Sequence, residues 1–250
     1  MSGHSKWATI KRDKAKNDSA RGASFTKVAR EVIIASKLGG TDPESNFRLR
    51  TAITKAKAVG MPADNIKRAI ARGQGAEDEE RVEEIQYEGF GPGGVAVIVQ
   101  AVPGNRNRTA SDVRHFFSKY GGNMGETGCV GWMFQQRGVL RLVGESLDVD
   151  TVMLAAADAG AEDIRESDDS IEVVTNPDDL EAVHKALSVA GLEAESADLA
   201  LLPTNTVDVD DPDVAKKLFR MLDAMENHDD VQAVYCNFEM SDALLATASS

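Results

Sequence analysis

Residues 24–73 read SFTKVAREVIIASKLGGTDPESNFRLRTAITKAKAVGMPADNIKRAIARG. Phe25, Val28, Ala29 and Val32 recur at i, i+3, i+4 and i+7, the spacing of one helical face, which predicts a helix from Ser24 to Leu38. Gly39-Gly40 stops it. Asp42-Pro43 has the pattern of an N-cap followed by proline at the first helical position. A second helix is therefore expected up to Val59, with Leu49, Ala52, Ile53 and Ala56 as its apolar stripe. Arg48 and Lys55 flank that stripe on one side, Arg50 and Lys57 on the other. Cations placed so can lay their stems on apolar surface and turn their charge outward. Gly60-Met61-Pro62 breaks the chain again. A third helix comes next, with Asp64 in its first turn, where a carboxylate suits the helix dipole. Ile66, Ala69 and Ile70 form its apolar side, Lys67, Arg68 and Arg72 its polar one. The stretch reads as a bundle of three helices.

Charge sets this bundle apart from the rest of the chain. Residues 1–75 hold 16 lysines and arginines against 6 aspartates and glutamates, a net of +10; the whole chain is −13, so the other 175 residues carry −23. A basic end on an acidic body points to a segment that faces nucleic acid; a solvated helical face is the plainer alternative. Ahead of the bundle lies a polar, basic arm with Lys6, Lys11, Arg12, Lys14, Lys16 and Arg21. Arms of this kind order on a phosphate backbone. Trp7 among these cations could stack on a base or pin the arm to the protein's own surface.

From Ala76 to Glu84 runs an acidic hinge, and from residue 85 the period changes. Ile85–Glu88 alternates as a strand, and Val95–Val102 is a second, nearly continuous apolar one. Thr109 or Ser111 is expected to cap a helix with Val113, Phe116, Phe117 and Tyr120 on one face. Val130, Trp132 and Phe134 alternate as a third strand. Beyond Val139 the order is strand, helix after Asp150, hairpin Ala161–Glu166 with Ile171–Thr175, helix 182–190, strand Leu199–Leu202, the split β-α-β order of a ferredoxin-like unit. Val207 and Val209, a helix from Asp211-Pro212, and Val234, Cys236 and Phe238 then resume the earlier pattern. The expected fold class is α+β: an N-terminal three-helix basic domain over 1–75 with its flexible arm, then two ferredoxin-like α/β domains. The middle one is built from 80–135 and 206–240, and 136–205 is inserted into it. Residues 241–250 are expected to be a disordered tail.

Several chemistries find no support. Gly89-Phe90-Gly91-Pro92-Gly93-Gly94 matches G-x-G-x-x-G by letter, but a strand comes after it where the dinucleotide fingerprint needs a helix. A glycine-rich hairpin turn is the better reading. The four histidines lack ligand spacing to one another or to cysteine, and His115 beside Phe116 reads as a packed histidine. Cys129 and Cys236 sit in strand patterns and read as buried; two distant cysteines suit a reducing compartment. No apolar run reaches the roughly 20 residues that cross a bilayer, and the N-terminus has no apolar core of a secretory signal. Asn105-Arg106-Asn107-Arg108-Thr109 is placed just before a helix, where Arg106, Arg108 and the helix end could hold a phosphate or carboxylate. No enzyme, cofactor or metal site is expected.

The early motifs Gly3-His4-Ser5-Lys6-Trp7, Arg21-Gly22 with Phe25-Thr26-Lys27, and Arg48-Leu49-Arg50 resemble the YebC/PmpR family, which includes a mitochondrial translational activator of cytochrome oxidase subunit I. Met61-Pro62, Asp64-Asn65-Ile66, Tyr87-Glu88 with the glycine-rich turn, Asn105–Thr109 and Gly121-Gly122-Asn123 continue the likeness over most of the chain. The resemblance implies a helical domain followed by two α/β domains. It also implies a DNA-binding transcriptional regulator or, alternatively, a translation factor that acts on the ribosome and relieves stalling at difficult stretches such as proline runs. Ala20, Ala23 and Ala63 stand where the family commonly has lysine, and each lost phosphate contact lowers the salt slope by about one unit.

The combined expectation is a cytoplasmic, monomeric nucleic-acid-binding regulator without membrane or small-molecule partners. Its contacts would be Lys6, Trp7, Lys11, Arg12, Lys14, Lys16, Arg21, Lys27, Arg30, Arg48, Arg50, Lys55 and Lys57, with Arg106 and Arg108 as a second group. DNA and ribosomal RNA suit these residues equally. A protein-interaction module, with the basic bundle on an acidic partner, is the further alternative.

Overall fold

The computed structural model describes residues 21–75, 83–144, 147–167 and 170–248. The chain separates into two compact units: Met1–Phe134 with Pro203–Ser250, and Gln135–Leu202.

The first unit opens with α1 (Arg21–Gly39), α2 (Phe47–Ala58) and α3 (Ala63–Gly73). Val32, Ile33, Leu49, Ala52, Met61, Ile66 and Ala69 form their shared core. The second helix starts later than Asp42-Pro43 suggests. Asn46 is its cap: Oδ1 accepts the Leu49 N–H at 3.0 Å, while Nδ2 donates to the Ala35 and Gly40 carbonyls at 2.8 and 2.7 Å. A neutral amide both donates and accepts, so one buried side chain closes α1 and opens α2 together. Asp42 can only accept, and it holds the preceding turn through the Glu44 N–H.

After the bundle, β1 (Ile85–Phe90) and β2 (Ala96–Ala101) pair antiparallel, with Ile85 opposite Ala101 and Phe90 opposite Ala96. The turn between them is a hairpin turn: Gly91 N–H donates to Val95 O, and Gly93 takes a φ of 75°. Next come α4 (Arg106–Lys119), β3 (Asn123–Met124), β8 (Val207–Asp208), α7 (Pro212–Glu226), β9 (Val231–Cys236), β10 (Phe238–Glu239) and α8 (Asp242–Ala248). The main sheet has the order β3-β1-β2-β9. Its core combines Val97, Val99, Val113, Phe117, Leu218, Leu222 and Val234.

Three local expectations are corrected here. Gly131–Met133 is a tight 3-10 turn, not part of a third strand, and Phe134, the last residue of this unit before Pro203, is the first of the strand Phe134–Val143 that belongs otherwise to the second unit. The reason is Glu88, whose carboxylate takes the N–H groups of Gly128, Val130 and Gly131 and so removes them from any ladder. The third strand is the two-residue β3. The final strand divides at Asn237, whose side chain bonds Ala96 N–H and Asn205 O; the pieces β10 and β8 pair in parallel as a separate ribbon. Residues 242–248, expected as loose tail, form α8, because Leu245 is buried in the same core.

The second unit runs β4 (Phe134–Val143), α5 (Val149–Ala157), β5 (Ala161–Glu166), β6 (Ser170–Thr175), α6 (Leu180–Val189) and β7 (Ser196–Pro203). Its sheet order is β5-β6-β4-β7, with Leu140, Leu142, Val152, Ile171, Val183 and Leu187 buried. Asp148, two residues before the expected cap, accepts the Thr151 N–H that starts α5.

Gly89 sits where β1 meets β3. A Cβ there would stand 2.4 Å from Asn123 O and 2.9 Å from Met124 Cα. Gly89→Ala should cost about 1–3 kcal/mol through overpacking, read as a lower urea midpoint. An unchanged midpoint would mean that β3 does not press on β1.

Candidate nucleic-acid interface

Lys6, Trp7, Lys11, Arg12, Lys14 and Lys16 lie outside the described residues, and Arg21 is the first residue of α1. The structure divides the remaining expected contacts into two groups. Four cations point into the protein. Lys27 Nζ donates to the Glu226 carbonyl at the end of α7. Arg30 Nη1 donates to Asp229 O at 2.5 Å and pairs with Asp230 Oδ1 at 2.7 Å. Arg48 forks onto Glu31 at 2.8 and 3.3 Å and reaches Glu84 at 3.2 Å. Arg50 donates to Pro43 O at 2.7 Å and lies over the Phe47 ring. The outward rows expected of Arg48 and Arg50 are thus corrected: their guanidinium groups close the bundle. Burial alone would lower the Arg48 pKa, but Glu31 and Glu84 outweigh it and keep the group charged.

Lys55, Lys57, Lys67, Arg68, Arg106 and Arg108 are exposed. Asn105–Thr109 does not precede α4 but begins it: Asn105 is the cap, with Oδ1 accepting the Arg108 N–H at 3.1 Å. Thr109, expected as a cap, turns inward instead.

Thr109 leads to a residue that the sequence pattern did not single out. Asp230 is fully buried. Its carboxylate accepts from the Thr109 hydroxyl and faces Arg30 and, at 3.6 Å, Arg108. Its N–H donates to His228 Nδ1 at 3.1 Å, which leaves the ring proton on Nε2, 3.2 Å from Asp112 Oδ2. Its carbonyl takes the Val102 N–H. One residue therefore joins α1, α4, β2 and β9. Glu88 plays a similar part for the 125–131 loop. Sequence offered no signal for either, since a carboxylate at the start or end of a strand is ordinarily solvated. His115, expected to be packed, is exposed; Cys236 is buried, but Cys129 is only half-buried in a turn. Among the described residues no group of histidine, cysteine or carboxylate side chains could hold a metal ion, and no helix is long and apolar enough to cross a membrane.

Burial would raise the Asp230 carboxyl, but the Thr109 bond and the charges of Arg30 and Arg108 outweigh it and hold it below the usual range. Its stabilising effect is complete above the unfolded value of about 3.9 and is lost as pH falls through the lower, folded value. Wild type should therefore lose stability more steeply than Asp230→Asn on acidification below about pH 4. Parallel acid limbs would contradict this. At neutral pH, Asp230→Ala should cost about 3 kcal/mol, since it strands Arg30 beside a buried cavity.

Two family models match the chain. Residues 5–76 match the TACO1/YebC protein N-terminal domain, and residues 82–238 the TACO1/YebC second and third domain. A "Probable transcriptional regulatory protein" of Desulfitobacterium hafniense is 52% identical over 246 residues, covering 98% of both chains. One of the same name from Moorella thermoacetica is 51% identical over 247 residues, again covering 98% of both. The crystal structure of a conserved hypothetical protein from Aquifex aeolicus superposes with a TM-score of 0.85 at 43% identity, covering 91% of this chain and 94% of that one. With both of its parts matched and relatives this close along its whole length, the chain belongs to the TACO1/YebC family.

Proposed function

We propose that the protein is a nucleic-acid-binding regulator of gene expression, a monomer of the cytoplasm that binds and does not catalyse. The observation that carries this is the charge division: +10 on residues 1–75, −23 on the rest. An acidic body repels bulk nucleic acid and leaves one end to engage it. The engaging groups are the arm cations, Lys55 and Lys57 of α2, and Arg106 and Arg108 at the start of α4. Relatives named as transcriptional regulators support duplex DNA as the ligand.

A second reading, ribosomal RNA bound in a translation factor, has its own support. Arg68 on exposed α3 could read a guanine edge, but it donates to Asn65 Oδ1 of its own helix at 2.5 Å. Cations of this kind position a phosphate backbone rather than specify bases, and structured RNA is recognised through shape and phosphate.

Sedimenting the protein with purified ribosomes at near-physiological salt, with and without excess duplex DNA, separates the two. Displacement by DNA is the outcome expected for a transcriptional regulator; co-sedimentation that DNA cannot displace assigns the protein to translation. Reversing charge at Lys11, Arg12 and Lys14 together should abolish binding to either ligand. Unchanged affinity in that variant would remove the arm from the interface.

A further inference from the structure

The second unit carries an apolar helix face that its own fold does not cover. Seven of the nine residues of α5 are apolar, with Asp150 and Thr151 as the exceptions. Val152 and Ala156 are fully buried in the core of the unit. Away from that core, Met153 is 48% exposed and Leu154 79% exposed, and Ala157, one turn further on, is exposed as well. A surface helix ordinarily turns charged and polar residues to water, whereas a helix apolar on every side is one that something covers. α6, which packs beside α5, turns Glu181 and Lys185 to water as well as Ala182 and Val189.

Charge decides what kind of molecule this face takes. Asp150 lies three and four residues before Met153 and Leu154, and Asp158 lies four residues after Leu154, so these exposed carboxylates are helix neighbours of the apolar pair. Asp148, the exposed cap of α5, adds a third carboxylate at its start. No lysine or arginine stands between Arg141 and Arg165. Residues 135–202 as a whole hold 16 aspartates and glutamates against 4 lysines and arginines, a net of −12. Such a surface repels nucleic acid and anionic lipid. A second copy of the chain would set the same carboxylates against each other. Apolar anchors within a carboxylate rim complement an amphipathic segment whose apolar stripe is edged by lysine or arginine.

We propose that the outer face of α5 is a docking surface for a cationic, amphipathic segment of a partner protein. Met153 and Leu154 are its apolar anchors, and Asp150 and Asp158 pair with the cations that edge the partner's stripe. Burying the two anchors supplies most of the affinity. The carboxylates select a basic segment over an acidic one and speed the encounter. The inference uses no residue of the basic bundle and stands apart from the nucleic-acid reading.

The test uses the full chain and two labelled peptides of about 15 residues, an amphipathic helix of leucine and lysine and its counterpart of leucine and glutamate. Wild type should bind the lysine peptide with an affinity that falls as salt is raised, and the glutamate peptide about tenfold more weakly. Leu154→Gln should lower affinity for the lysine peptide about tenfold, the effect of losing one buried leucine. Leu154 lies in water in the free protein, so the melting temperature of that variant should match wild type. Asp150→Asn with Asp158→Asn should lower affinity about fivefold and flatten its salt dependence. Equal binding of the two peptides, no binding by wild type, or lysine-peptide affinity unchanged in Leu154→Gln would each overturn the proposal. So would a dimer of wild type that Leu154→Gln dissociates, since a second copy would then hold the face. Tighter peptide binding after charge reversal at Lys11, Arg12 and Lys14 would overturn it in favour of the chain's own arm.

Discussion

An ionised carboxylate without access to water must find its compensation inside the protein, and Asp230 finds it on elements far apart in the chain. Arg30 comes from the basic bundle, Thr109 and Arg108 from the start of α4, and the backbone bonds from β2 and the turn before β9. The bundle could fold on its own apolar core, but its position on the α/β body is set by this charge. Lys27 on the Glu226 carbonyl, one helical turn before Arg30, extends the same contact. Removing one member of such a buried pair costs more than the pair contributes, because the other charge is left stranded.

This arrangement shows how several cations of the bundle serve the fold. Arg30, Arg48 and Arg50 are arginines with defined acceptors, and their planar forks suit fixed pairing. The exposed Lys55 and Lys57 are flexible point charges, better suited to a phosphate backbone whose register varies. The positive excess of the first 75 residues thus divides by chemistry as well as by position. The glycine-rich stretch that resembles a nucleotide fingerprint takes no part as a loop before a helix; it lets β1 and β2 turn back on each other.

The α+β class, the helices and most strands were legible because they rest on local periodicity: Leu49, Ala52 and Ala56 do face the core, and Pro212 does open α7. The features that were not legible depend on partners distant in sequence. Nothing near Asp42-Pro43 reveals that Asn46 will find Ala35 O and displace it as the cap. The alternation of Val130, Trp132 and Phe134 is that of a strand, and it fails because Glu88, some 40 residues earlier, takes the backbone donors. Arg48 and Arg50 flank an apolar stripe as an outward row would. Only the packed helices show that Glu31 and the Pro43 carbonyl stand within reach. The candidate site divides the same way: its net charge was readable, but which cations face outward was not.

On the proposed function, Lys55 and Lys57 of the bundle contact phosphate, whereas Arg30 and Arg48 hold the bundle in place. Salt dependence of nucleic-acid affinity tests this division most directly, because each phosphate contact contributes about one unit to the slope. Lys55→Gln with Lys57→Gln should reduce the slope by about two units and leave the melting temperature unchanged. Arg30→Gln with Arg48→Gln, measured below its melting range, should keep the wild-type slope and melt at a lower temperature. The opposite result, with the slope lost in the arginine variant and kept in the lysine variant, would contradict the division.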